Sequence, residues 1–309
     1  MNSSLSTALI SIYSFLTIVT SAFALVRWIK GPGKLITELI ERTLSWWAMI
    51  TVAVICLFMN DLVATLSLMV LSGFAFHEII GKYEIGKDHR KIFRICYVSI
   101  PIQYTLAYLN QYSLFLTFIP VLMFVMLSLR GVVSGTTRDI SRSMGVIHWS
   151  LMMTVFSFSH IALLYSDNMP KVHVDQKYHL VLYLILATEI SDVFQFTWGK
   201  LFGKHKICPD ISPNKTLEGF LGGVASTTVL SFFLSSFIGV SQLDACLLGM
   251  AISTVGFFGD ITFSAIKRDL NIKDLGNTIP GHGGLLDRVD SLALTSIVFF
   301  YMLKLFIFA

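Results

Sequence analysis

The sequence predicts an all-α, polytopic integral membrane helix bundle of about ten transmembrane helices, with its N-terminus outside. Three observations predict it. Mean hydropathy is +0.72, and 54% of residues are apolar against 14% charged, a composition that excludes an ordinary soluble domain. Apolar runs of helix-spanning length recur throughout the 309 residues, which argues for one bundle. The cations alternate: 20 of the 23 Lys and Arg fall in every second connecting segment, which orients a membrane chain with those segments in the cytoplasm.

The ten apolar segments are about 5–26, 45–59, 62–80, 95–109, 112–129, 144–165, 179–198, 219–239, 245–264 and 290–308. The cationic connections are 27–44, 81–94, 130–143, 199–218 and 265–289. Asn60-Asp61 and Asn110-Gln111 are tight polar breaks that make two helical hairpins. In 27–44 an apolar stripe (Leu35, Ile36, Leu39, Ile40, Leu44) suits an amphipathic helix on the bilayer surface, or a connector packed on the bundle. His77 and Glu78, at the end of the third span, are read as marking the water interface, with a functional role as the alternative. His148 and His160, within the sixth, are expected to bond between helices. The four cysteines are scattered without a C-x-x-C, so neither a zinc site nor a disulfide framework is indicated. No basic leader precedes the first span, which is read as retained. The net charge of +4 is accounted for by topology and does not point to nucleic acid. Residues 1–143 form an N-terminal scaffold of helices and hairpins, and 144–309 a C-terminal catalytic region.

Chemistry concentrates in 259–291, where ten ionisable side chains sit between two apolar helices: Asp260, Lys267, Arg268, Asp269, Lys273, Asp274, His282, Asp287, Arg288 and Asp290. Pro280, Gly281, Gly283 and Gly284 forbid regular helix there and permit close backbone approach to a ligand. Mixed carboxylates and cations beside glycines suit phosphate plus a divalent metal. Helical spacing puts Asp260, Ser264 and Lys267/Arg268 on a single face, and Asp287 with Asp290 on another. A second cluster runs through 189–223. Glu189 and Asp192 share one face of an apolar helix, where a carboxylate costs roughly 2.5–3.5 kcal/mol on insertion scales. Ser212, Lys215 and Thr216 then lead into the next helix, whose free N–H groups are available to an anion.

The last loop closely resembles the phosphatidate cytidylyltransferase (CDP-diacylglycerol synthase) family. Ser264, Ile266, Lys267, Arg268, Lys273, Asp274, Gly276, Pro280, His282, Gly283, Gly284, Leu285, Asp287, Arg288, Val289 and Asp290 meet every fixed position of its C-terminal pattern. A second family motif is matched by Asp192, Gly199, Lys200, Phe202, Gly203 and Lys204. It continues through Ile211, Ser212, Pro213, Lys215, Thr216, Glu218, Gly219, Gly222 and Gly223. Asn214 stands where the family has lysine, Gln195-Phe196 where it has Ala-Tyr, and Glu189 where tryptophan is common. The likeness covers about 185–295; earlier residues agree only in hydropathy and span count.

The resemblance implies an integral membrane cytidylyltransferase that makes CDP-diacylglycerol and pyrophosphate from CTP and phosphatidic acid. It implies Mg²⁺, with a second cation as an option, held by Asp260 and Asp287 with Asp290 beside them. Lys267, Arg268 and Arg288 would neutralise the triphosphate. Ser212, Lys215 and Thr216 would hold a phosphate, with Asp192, Ser264, Lys273, Gly283 and Gly284 lining the substrate. His282 either acts on a phosphate or orders the loop. Membrane lipids and a second copy in a homodimer are the further partners considered, and the site would face the cytoplasm of a bacterial inner membrane. A rival of the same class is a CTP-dependent enzyme acting on another lipid phosphate. A rival of another class is a secondary transporter, which would carry its charges near the midplane and repeat between halves.

Overall fold

The computed structural model describes residues 3–31, 34–83, 90–133, 140–166, 174–276, 278 and 283–307. Among them the chain is helical and contains no strand, although a bridge pairs Lys206 with Thr216. We name α1 Ser3–Lys30, α2 Lys34–Phe58, α3 Asp61–Ile80, α4 Arg90–Tyr108 and α5 Tyr112–Val133. There follow α6 Ile140–Leu163, α7 Val174–Phe202, α8 Leu217–Ile238, α9 Gln242–Asp269 and α10 Asp290–Met302.

This is a membrane protein, but among the described residues seven helices, rather than ten, are long and apolar enough to cross a bilayer: α1, α3 and α5 to α9. The other three expected spans fall on shorter or less apolar helices. In α2 the apolar stretch is confined to Trp46–Phe58. Helix α4 carries Arg90, Lys91 and Arg94 in its opening turns and Pro101 inside. Helix α10 runs for 13 residues before a π turn at Leu303–Ile307. The amphipathic segment expected at 27–44 is divided between the end of α1 and the opening turns of α2. A π turn at Phe118–Met123 interrupts α5 around Pro120, which lacks the N–H that a regular helix requires.

Helices α7 to α10 pack into a tight group: α8 lies on α7 and α9, while α9 also touches α7 and α10. Helix α6 seats α10 against α3 and α4, and α1 lies at the periphery against α2. Lipid tails are as apolar as side chains, so association depends on close backbone approach and polar contacts. A Cβ on Gly223 would lie 2.2 Å from Gln195 Cγ, and one on Gly249 would lie 2.1 Å from Ser231 Oγ. Buried hydroxyls join the helices: Tyr183 donates to Ser231 at 2.7 Å and Ser191 to Ser253 at 2.7 Å. Gln195, a departure from the family motif, donates to the Ser253 carbonyl at 3.1 Å and so belongs to this packing. At the other end, Asn60 caps α3 and Asp61 pairs with Lys177, tying α3 to α7.

The two histidines of α6 differ from expectation. His160 is fully buried, with Nδ1 against the Phe156 carbonyl of its own helix at 2.7 Å, and is ringed by Phe115, Phe156, Phe300 and Tyr301. His148 packs edge-on to Phe124. Aromatic packing, rather than hydrogen bonding between helices, accounts for both among the described residues.

Gly249→Ala drives a methyl into Ser231 and to within 2.9 Å of the Thr227 carbonyl. It should destabilise the bundle by about 1–3 kcal/mol, read as a lower melting temperature of the detergent-purified protein. An unchanged melting temperature would refute the tight α8–α9 crossing.

Candidate active site

Three elements deliver the site: the last turns of α9, the 203–216 loop before α8, and the loop and 3-10 turn (Leu286–Arg288) before α10. The α7–α8 crossing fixes the second. A Cβ on Gly203 would lie 2.7 Å from Thr216 Oγ1, and one on Gly219 would lie 2.7 Å from the Gln195 carbonyl oxygen. Thr216 is the N-cap of α8, accepting from Gly219 N at 3.1 Å. Glu218 accepts from Lys204 N at 3.0 Å and contacts His205 Nδ1 at 2.6 Å, closing the basic loop onto the helix. Lys215 is thereby aimed at α9, where its Nζ lies 2.6 Å from Asp260 Oδ2. Ser264, one turn along, donates to Asp260 Oδ1 at 3.3 Å.

Lys267, on the same face of α9, reaches Asp287 Oδ1 at 3.0 Å and Asp290 Oδ2 at 3.7 Å. The Asp287 side chain is 2% exposed. Its other oxygen accepts from Leu275 N at 2.8 Å and Gly284 N at 3.0 Å, so this carboxylate also shapes the loop. Gly283 has φ +85°, a left-handed conformation that suits glycine. Asp192 receives Ser291 Oγ on Oδ2 at 2.8 Å, while its Oδ1 is buried with no protein partner. Arg288 Nε is likewise buried without a partner.

Asp192, Lys215, Asp260, Lys267, Asp287 and Asp290 thus form one array, with Glu189 and Arg288 within electrostatic reach. Burial lowers the pKa of Lys215, but Asp260 and Asp192 outweigh it and the net shift is upward. Lys215 therefore stays charged at and above neutral pH.

Other expected site residues lie apart. Arg268 turns away from Lys267, donating to the Ile211 and Ile272 carbonyls at 3.3 Å each, and is exposed. Lys273 is exposed on the turn after α9. Ser212 shapes its loop through backbone bonds to Cys208 and Lys215. Pro280, Gly281 and His282 lie outside the described residues.

One residue read chiefly as an interface marker gains definite partners. Glu78, in the last turn of α3, accepts from Leu285 N at 3.0 Å and Leu286 N at 2.8 Å, and from the Thr278 hydroxyl. An acid there opposes the helix dipole, and that was the available signal.

Among the described residues no three of His, Cys, Asp and Glu are disposed as a ready-made metal cage. The residues nevertheless fit a magnesium ion. Five carboxyl groups gather beside three cations, and Asp192 Oδ1 is a buried carboxylate oxygen with no protein partner. Magnesium typically takes one or two carboxylates and completes its shell with water and substrate phosphate.

Comparison with known proteins identifies likenesses over most of the chain. The profile of the cytidylyltransferase family matches residues 40–306. The protein YnbB of Escherichia coli (strain K12), itself uncharacterized, is 36% identical over 299 residues, covering 96% of this chain and 97% of its own. The phosphatidate cytidylyltransferase of Staphylococcus aureus (strain COL) is 41% identical over 115 residues, 37% of this chain and 44% of that protein. The phosphatidate cytidylyltransferase of Mycobacterium leprae (strain TN) is 35% identical over 174 residues, 56% of this chain and 52% of that protein. The chain therefore aligns with about half the length of the relatives that bear an activity in their name.

Lys215→Met should strip Asp260 of its counter-charge and lower the melting temperature. A lysine whose pKa is raised on folding contributes stability fully below its unfolded value, and loses it only as pH rises through the folded value. The melting deficit of Lys215→Met should therefore be constant from about pH 6 to about pH 9 and shrink above the ordinary lysine range. A deficit that vanishes near neutrality would contradict the pairing.

Proposed function

The chain belongs to the cytidylyltransferase family and is a nucleotidyltransferase, and on that premise we propose that it is a CTP:phosphatidate cytidylyltransferase of a bacterial inner membrane. A phosphatidate oxygen attacks the α-phosphorus of CTP in line. The bond to the bridging oxygen breaks, pyrophosphate leaves with the electron pair, and CDP-diacylglycerol is formed. A phosphate monoester is already a nucleophile near neutral pH, so no dedicated general base is required. The work left to the protein is positioning and charge neutralisation.

The observation that carries this reading is the pair of lysine–carboxylate contacts, Lys215–Asp260 and Lys267–Asp287/Asp290, that join three elements at one end of the bundle. The resemblance supports Mg²⁺ held by Asp260 and Asp287 with Asp290 beside them, and Asp192 Oδ1, buried without a protein partner, is the oxygen of the array still free to take a cation. The ion would supply charge shielding and orient phosphate oxygens. Lys215, Lys267 and Arg288 bind the phosphates of CTP and the departing pyrophosphate; Arg288 has a buried Nε still to satisfy. The N–H groups expected to be free at the head of α8 are engaged, Ser212 N by the Cys208 carbonyl, Leu217 N by the His205 carbonyl and Gly219 N by Thr216 Oγ1, so this segment's contribution rests on the Lys215 ammonium. The acyl tails stay in the bilayer while the head group reaches the site laterally. The cation-rich connections support an N-terminus outside and a cytoplasmic site.

A second reading, CTP-dependent transfer to another lipid phosphate, is favoured by one observation: YnbB is alike over its full length, whereas the two phosphatidate cytidylyltransferases above align over about half their length or less. Glu189 and Gln195, beside or near the array, are the departures to examine in that case.

Purified protein with CTP and Mg²⁺ should release pyrophosphate when phosphatidate vesicles are added, and faster than with a polyprenyl phosphate. The reverse order would select the second reading, and no release with any lipid phosphate would refute both. Asp260→Ala and Asp287→Ala should each cut the rate roughly a hundredfold or more, at unchanged expression.

A further inference from the structure

Glu78 lies at the end of a helix from the N-terminal half, yet among the described residues its carboxylate bonds to the last loop, some 200 residues away in sequence. Both oxygens are used: one receives Leu285 N at 3.0 Å together with the Thr278 hydroxyl, the other Leu286 N at 2.8 Å. The loop is built to admit it. A Cβ on Gly276 would stand 2.4 Å from Glu78 Oε1, and one on Gly284 would stand 2.8 Å from Oε2 and 2.6 Å from Gly276 N. Two glycines therefore leave the space that the carboxylate fills. On the other side of the same loop, Asp287 collects Leu275 N and Gly284 N. The backbone around Gly284 is thus gripped between two carboxylates, one from α3 and one from the loop itself.

We propose that Glu78 is a positioning residue for the catalytic loop: it fixes the 3-10 turn that presents Asp287 and Arg288, and does not itself touch substrate. Amide-to-carboxylate bonds are charge-assisted and roughly twice as strong as neutral ones. They orient an otherwise glycine-rich segment with little stiffness of its own. The N-terminal helices thereby acquire a part in the chemistry besides being a scaffold. A glutamine cannot substitute, because its amide nitrogen would face a backbone donor. An aspartate could, at a shorter reach. The proposal rests on the cytidylyltransferase reading for its kinetic arm only.

The test has two arms on the full-length protein in detergent. In hydrogen exchange, Glu78→Ala should raise the exchange rate of the peptide containing Leu285 and Leu286 about tenfold or more, while α7 and α9 peptides are unchanged. Glu78→Asp should restore most of the protection. In turnover with CTP, Mg²⁺ and phosphatidate, Glu78→Ala and Glu78→Gln should lower kcat about tenfold or more per folded molecule, with little change in the KM for phosphatidate. Gly276→Ala, harmful in the native background, should cost little more when Glu78 is already alanine. Unchanged exchange at Leu285 and Leu286, or strictly additive effects of Glu78→Ala and Gly276→Ala, would overturn the proposal. So would a general loss of melting temperature with kcat intact. A wild-type protein without transferase activity would defeat the functional reading alone, since the exchange arm needs no turnover.

Discussion

A carboxylate that is almost fully buried must have its charge answered, and Asp287 is the place where this chain meets that demand. Its side chain is 2% exposed, with Lys267 on one oxygen and two backbone amides on the other. Taking such groups from water costs several kcal/mol per ion, and only a near-complete set of partners offsets it. The partners come from α9, from the turn after α9 and from the loop before α10. Satisfying one buried charge therefore locks three segments in register. Lys215 with Asp260 does the same between α8 and α9, so the two pairs define a common polar end to helices that are otherwise held by close packing.

Close packing is itself a condition for those pairs. The crossing of α7 and α8 is tight enough that Gly203 and Gly219 leave no room for a Cβ, and Thr216 caps α8 within it. A looser crossing would move Lys215 away from α9. Several motif glycines that would ordinarily be assigned to ligand contact instead set the distance between helices. The departures from the family pattern divide along the same line. Gln195 is structural, bonding to Ser191 and Ser253. Glu189 adds a further carboxyl group near Arg288, Asp192 and Asp290. Carboxyl groups and cations are thus gathered at one end of the bundle, with Asp192 Oδ1 left without a protein partner.

Much of this was legible in the sequence, for physical reasons. Hydropathy located the helical segments, because apolar length is what a bilayer requires. Spacing on α9 brought Asp260, Ser264 and Lys267 to one face, and the structure has them so. Adjacent residues diverge by about 100° on a helix, and the sequence reading treated Lys267 and Arg268 as a unit. Only Lys267 joins the array, whereas Arg268 straps two loop carbonyls. A helix lies on each of the ten expected segments, and among the described residues seven are long and apolar enough for a span, while α2, α4 and α10 fall short of that length or apolarity. An acid in the last turn of α3 marks Glu78 as unusual, but its partners could not be read from pattern, because two of them are backbone amides across the fold, and amides carry no sequence signal.

The most direct measurement follows the label from CTP into lipid. Purified protein would be given phosphatidate vesicles, Mg²⁺ and CTP labelled at either the α- or the γ-phosphorus. Transfer of the α-label to a chloroform-soluble liponucleotide, with the γ-label released as pyrophosphate, is the result this account predicts. Transfer of the γ-label to lipid, or retention of both labels in the aqueous phase with every lipid phosphate offered, would contradict it.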